Sequence, residues 1–282
     1  MMKLHSIDTE LFKLDGGAMF GVVPKVIWNR LNPADADNLC TWAMRCLLIE
    51  DGDRLILVDN GVGDKQDAKF FGHYHLHGPD TLAGSLRTLG FHHQDITDVF
   101  LTHLHFDHCG GSVMREGDRL LPAFPNAQYW SNSRHWDWAV RPNDREKASF
   151  LKENILPIEE SGQLSMLSVP DAGTAVFSSG IRVRYVHGHT EAMMLPQIEY
   201  KGRTIVYMAD LIPSVWHLPM AWVMAYDMFP MTTLSEKRSF LEEAVDNDWV
   251  LFFEHDPIHQ CCTLQRTEKG IRMKEHFPLS DL

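Results

Sequence analysis

The run LTHLHFDHCGG, Leu101–Gly111, constrains this chain more than any other stretch. It follows the apolar segment ITDVFLT, which reads as a buried strand, and sets His103, His105, Asp107 and His108 within six positions. Alternate residues of an extended chain face the same way, so His103 and His105 can address one ion. If the chain then turns, Asp107 and His108 face a second point a few ångströms away. Neutral imidazole nitrogens and carboxylate oxygens suit Zn²⁺ and similar divalent ions. Gly110 and Gly111 let the backbone pass closely around such a site. A lone histidine after a strand is ordinarily a surface or capping residue. Four ligand-type residues at H-x-H-x-D-H spacing point to a metal.

Later strand ends carry the same chemistry. YVHGHTEA places His187 and His189 after the alternating strand IRVRYVHG, VYMAD ends on Asp210, and LFFEHDP carries His255. Each alone is weak, because an aspartate at a strand end is usually a turn former. Together they bring several strands to an end in metal-ligand residues, where sites collect in layered α/β folds.

The remaining pattern supports that class. Hairpins are predicted at Asp51-Gly52 and Lys201-Gly202. PDTLAGSLRTLG reads as a helix with Asp80 as N-cap and Gly90 as its stop. SNSRHWDWAV opens another helix, and NDREKASFLKENILPI has helical spacing. In TTLSEKRSFLEEAVDN, Thr233 and Glu236 form a capping box, and Phe240, Leu241 and Val245 supply the buried face. Strands and helices alternate, with no repeat or linker, which predicts one layered α/β domain over 1–282.

Composition narrows the function. A net charge of −12 without a Lys/Arg run argues against gripping nucleic acid or an anionic membrane. The N-terminus lacks an apolar signal region and no run reaches membrane-span length. Five cysteines, an odd number without a CxxC pair, argue against a disulfide framework or a cysteine zinc site. A reducing compartment, the cytoplasm, is expected. His73, His75 and His77 alternate in GHYHLHGP but lack a nearby carboxylate, so they are not read as a metal site. Cys109 is read as a packing residue. The segment VWHLPMAWVMAYDMFPM, residues 215–231, is read either as a soft apolar wall or lid, or as core or a homodimer contact. Trp216, Met220 and Tyr226 from this segment, with Met19 and Phe20 from the early LDGGAMFGVVPKVIW, are the candidate substrate contacts.

In order along the chain, THLHFDHCGG, the GHT of Gly188–Thr190, MAD ending at Asp210 and EHD around His255 resemble the successive motifs of the metallo-β-lactamase superfamily. The likeness runs from the Asp59 hairpin to His255. It implies a four-layer αββα sandwich with a dinuclear site at one edge. Carried over, one ion takes His103, His105 and His189, and the other takes Asp107, His108 and His255. Asp210 bridges both, and a water or hydroxide completes the bridge. His189 is preferred to His187 because it stands in the GHT context. Asp59 would orient a ligand imidazole from behind. Two divalent ions, zinc foremost, would lower the pKa of the shared water, and Asp107 or a metal-bound water would pass a proton to the leaving group. The implied reaction is hydrolysis.

The motifs look closest to the branch holding N-acyl-homoserine lactonases and methyl-parathion-hydrolase-like enzymes. The implied substrate is a lactone or ester of a fairly apolar small molecule, with phosphotriester or thioester cleavage as the alternative. Lactonases of this group often have a tyrosine soon after the bridging aspartate. Here Leu211, Ile212 and Pro213 follow, leaving Tyr226 as the substitute. A non-catalytic metal-bound sensor is the other class, and the complete ligand set counts against it.

Overall fold

A computed structural model describes residues 2–171 and 173–282 of the chain. The chain forms two compact units. One holds the residues up to Glu10, Met44–His73 and His77–Ala175; the other holds Leu11–Ala43, Tyr74–Leu76 and Val176–Leu282.

The first unit is built on a mixed sheet of six strands, in the order Lys3–Ile7, Cys46–Asp51, Arg54–Val58, Asp98–Phe100, Gln128–Asn132 and Leu164–Leu167. Its first pairs are antiparallel. The hairpin expected at Asp51-Gly52 is present, with Asp51 opposite Arg54 and Gly52 at a φ of 62°. The remaining pairs are parallel, and their register aligns Val58, Phe100 and Trp130. Asp59 and the segment after Leu101 therefore emerge from one sheet edge.

The helix Leu82–Thr88 crosses between two of these strands. Thr81, rather than Asp80, caps it, accepting the Gly84 N–H at 3.1 Å. Leu86 is fully buried, with Leu82 and Leu89 packed on the core made by Leu48, Leu57, Val99 and Tyr129. Each large apolar side chain buried this way contributes about 1.5–3 kcal/mol. Asn132 caps the helix Ser133–Val140 through the His135 N–H. Residues 144–149 are turns instead of helix, and the helix forms only over Lys152–Glu160. The reason is tertiary: Asn143 caps this turn through the Glu146 N–H, and the Glu146 carboxylate is drawn into buried hydrogen bonds.

The second sheet has seven strands, in the order Thr174–Ser178, Ile181–Val186, Met193–Tyr200, Arg203–Tyr207, Val250–Phe252, Cys261–Thr267 and Gly270–Phe277. Its predicted hairpin turns at Lys201 and Gly202, with φ of 49° and 80°, the positive pair that two-residue turns of primed type require. One parallel pair, Arg203–Tyr207 with Val250–Phe252, is joined through the helix Pro230–Asp246 and aligns Tyr207 with Phe252. Asp210 and His255 leave the sheet just beyond that pair.

This helix starts earlier than its capping signature predicts. Pro230 opens it, and Thr233 lies within it. The Glu236 carboxylate accepts the backbone N–H groups of His187 and Gly188 at 2.7 and 3.0 Å, so it does not close a capping box. Phe240, Leu241 and Ala244 form the buried face, with Val245 half-buried. Among the described residues, no helix is long and apolar enough to cross a membrane.

Candidate metal centre

In the first unit the four ligand-type residues follow the strand Asp98–Phe100. His103–His105 is extended, and His105 caps the short helix Phe106–Cys109 that carries Asp107 and His108. The Leu104 N–H donates to His135 Nε2 at 2.8 Å, which pins the extended stretch between the two histidines. The glycines after the helix are required by close approach. A Cβ on Gly110 would lie 2.1 Å from the Val62 carbonyl oxygen, and one on Gly111 would lie 2.3 Å from that of Asn60.

Outer hydrogen bonds decide which ring nitrogen of each histidine is left for a ligand. Thr102 gives its hydroxyl hydrogen to Asp59 Oδ2 at 2.6 Å, so it accepts from His103 Nδ1 at 3.1 Å. Glu146 Oε1 accepts from His105 Nε2 at 3.0 Å. With those outer nitrogens donating, the facing atoms, His103 Nε2 and His105 Nδ1, turn their lone pairs toward one another at 3.0 Å. Asp59 Oδ2 accepts from His108 Nδ1 at 3.1 Å, leaving His108 Nε2 on the side of Asp107. Asp107, His108 and Asp59 are buried.

The second unit repeats this logic. His189 donates Nδ1–H to Asp227 at 2.8 Å, and its Nε2 stands 3.0 Å from Asp210 Oδ2. His255 donates Nδ1–H to the Ala43 carbonyl at 2.7 Å, and its Nε2 stands 3.1 Å from Asp210 Oδ1. One carboxylate is thus shared between two imidazoles. Burial works against charge on His189, but Asp210 and Asp227 override it and raise its pKa to about 10. His187 has other partners: its Nδ1 accepts from the Ala192 N–H at 3.3 Å and lies 3.3 Å from Glu191. Asp59 and Ala209 hold φ of 56° and 40°, a backbone cost of roughly 1–3 kcal/mol each, at the positions that aim these groups.

The donor sets fit divalent cations. Imidazole nitrogens turned toward one another, with a carboxylate beside two further rings, make a donor set of the kind that suits a divalent cation.

The candidate substrate contacts lie in the second unit. Phe20 is fully buried and stacked between His217, 5.1 Å away, and Trp28, 5.2 Å away. Met19 is buried, and its carbonyl accepts from His217 Nε2 at 2.9 Å. Burial pushes His217 down to about 4, so this ring is neutral, with Ser214 donating to its Nδ1. Trp216 is buried edge-on to Trp42, Met220 is half-buried and Tyr226 is 36% exposed.

Sequence reading missed Glu146, Asp227 and His135, each tied to a ligand-type histidine or its backbone. Glu146 sits in a charge run that looks like solvated surface, and no local signal separates Asp227 from its neighbours. Among the described residues, His73, His75 and His77 join no metal-capable group. Burial pushes the Cys109 thiol up to about 12, consistent with a packing role.

The profile of the family described as "Metallo-beta-lactamase superfamily" matches residues 45–255. Among solved structures, a protein described as a "probable metal-dependent hydrolase" from Staphylococcus aureus is 26% identical, with a TM-score of 0.87 over 98% of this chain and 96% of that one. AidC, a dizinc quorum-quenching lactonase in complex with a product, is 21% identical, with a TM-score of 0.79 over 98% and 95%. The hydrolase AbOPH, in the beta lactamase superfamily, is 19% identical, with a TM-score of 0.76 over 98% and 95%. These last two likenesses establish the shared fold.

Proposed function

Because this chain belongs to the metallo-beta-lactamase superfamily and has its α/β fold, we propose that it is a dinuclear metal-dependent hydrolase that opens a lactone or cleaves an ester of a fairly apolar small molecule. In this reading His103, His105 and His189 hold one ion, Asp107, His108 and His255 hold the other, and Asp210 serves both. The observation that carries it is that His103 Nε2 and His105 Nδ1 face each other at 3.0 Å while their other ring nitrogens are engaged by Thr102 and Glu146. Two divalent ions, most readily zinc, supply Lewis acidity and lower the pKa of water enough for attack at neutral pH.

The chain's own groups do the rest. Asp59, Glu146 and Asp227 accept from one nitrogen of His108, His105 and His189 respectively, and so orient the other nitrogen of each of these rings toward the ion it would hold. Asp107, or a metal-bound water, would pass the proton released by the attacking water on to the leaving oxygen. Met220 and Tyr226, which keep exposed surface, would present the apolar wall, with Met19, Phe20 and Trp216 buried in the same unit, and residues 215–231 offer a homodimer contact as their other use. The partner is a small molecule and the compartment the cytoplasm, in keeping with the charge of −12 and five free cysteines.

A specific observation favours a second substrate. Leu211 and Ile212, both buried, follow Asp210 where a lactonase tyrosine would stand, and ADLIP resembles organophosphate hydrolases. The deciding experiment measures metal content and then compares acyl-homoserine lactones of varied chain length with aryl esters, thioesters and aryl phosphotriesters. Two ions per chain and hydrolysis abolished by Asp210→Asn are expected. Fewer than one ion after reconstitution would overturn the reading. Full metal loading with no turnover across the panel would favour a metal-bound sensor.

A further inference from the structure

Residues 211–226 leave the second unit's sheet edge at Asp210 and return at Asp227. Both ends meet one imidazole: Asp210 lies 3.0 Å from His189 Nε2, and Asp227 lies 2.8 Å from its Nδ1. An excursion whose ends are neighbours has the form of an Ω-loop. This one carries the apolar side chains Trp216, Met220 and Trp222.

The loop is tethered along its length. Asp256 accepts the Val215 N–H at 3.0 Å, His217 donates to the Met19 carbonyl, and the Ala225 N–H donates to the Ala18 carbonyl at 2.8 Å. At its far end Pro219–Trp222 is a turn, closed by the Trp222 N–H on the Pro219 carbonyl at 3.0 Å. Lys237, fully buried on the helix Pro230–Asp246, reaches this turn. Its Nζ donates to the carbonyls of both Pro219 and Trp222, at 2.8 and 2.9 Å. The Trp222 ring meets Phe20 edge-on at 5.7 Å, so the gripped turn adjoins the His217–Phe20–Trp28 stack.

A buried lysine is an expensive way to fill space, since methionine would pack as well without desolvating an ammonium. What lysine adds over methionine here is a donor for each end of the turn. Burial pushes its pKa down to about 7, against the charge of Asp227 and with that of Arg272. The amine keeps two N–H groups after losing a proton, so both carbonyls stay bonded in either state.

We propose that Lys237 is a positioning residue that clasps the Pro219–Trp222 turn, and that the closed turn sets how tightly the apolar part of a substrate is held over the wall. The second half rests on the hydrolase reading above; the first does not. Lys237 touches none of the seven ligand residues in these contacts, so its effect is on binding and not on the metals.

The test compares wild type, Lys237→Met and Lys237→Arg, all loaded with zinc. Hydrogen exchange of amides in 215–226 is read first, because it needs no substrate. Exchange about tenfold or more faster in Lys237→Met, at unchanged metal content and with recovery in Lys237→Arg, is expected. Exchange unchanged in Lys237→Met would overturn the clasp. Esters of increasing alkyl length are then compared. KM should rise more than kcat falls, and the rise should grow with chain length. A loss equal for every chain length would overturn the specificity role. Faster exchange without turnover of any lactone, ester, thioester or phosphotriester supports the clasp while removing the hydrolase reading. Should Lys237→Met not fold, Lys237→Gln, with one donor group on a shorter stem, carries the same comparison.

Discussion

At the residue scale, the reach of each imidazole is set by the acceptor behind it. Glu146 takes His105 Nε2–H on one oxygen, and Trp138 Nε1–H and Asn143 Nδ2–H on the other, at 2.6 and 3.2 Å. The carboxylate is therefore locked, and with it the ring that presents Nδ1. Glu146→Ala would leave a buried N–H without its acceptor and free the ring to turn. Metal affinity should fall about 10- to 100-fold, as read by competition with a chromophoric chelator. An unchanged affinity would remove Glu146 from this role. Neither Glu146 nor Asp227 was legible beforehand, because their histidines lie 41 and 38 positions away along the chain. His103, His105, Asp107 and His108 were legible because they are neighbours in one local pattern.

At the element scale, the helix Pro230–Asp246 braces the loop that carries His189. Its first turn lies against Gly188, where a Cβ would stand 2.2 Å from Thr233 Oγ1 and 2.3 Å from Thr233 N. Phe229 N–H also donates to the Gly188 carbonyl at 2.8 Å, and Met228 N–H to that of His189 at 3.0 Å. A side chain at 188 must push the helix away or tear these bonds. Gly188→Ala should destabilise the protein by about 1–3 kcal/mol, the range for overpacking, seen as a lower urea midpoint. A midpoint equal to wild type would show that the loop can retreat. The same helix explains a sequence expectation that the structure corrects. Thr233 and Glu236 have capping-box spacing, yet Glu236 is claimed by the backbone of His187 and Gly188. Strand pairing was easier to read, since the turns at Asp51-Gly52 and Lys201-Gly202 are governed by φ preferences within two residues.

At the scale of the whole molecule, acidic groups outnumber basic ones, and Asp59, Asp107, Glu146, Asp210, Asp227 and Glu254 are buried as well. Cations bound beside such carboxylates would offset the cost of burying their charge, so the native state should be linked strongly to metal. At a free ion concentration about 1,000 times Kd, that linkage amounts to about 4 kcal/mol. Chelation should therefore lower Tm by on the order of 10 °C, read by calorimetry with and without added zinc. A Tm indifferent to chelator would argue against tight sites. The family was legible in the sequence because its ligand motifs each span a few residues and occur in a set order at strand ends. The layered α/β class was legible because hydrophobic alternation and turn residues act locally. Only the tertiary structure decided which nitrogen each histidine presents, because that depends on an acceptor delivered from another part of the chain. It also decided the fates of Glu146 and Glu236, whose local context favours helix surface or cap, because burial makes an available N–H worth more to a carboxylate than solvent. LTHLHFDHCGG carries the ligand chemistry by itself; the acceptors behind its rings come from the fold.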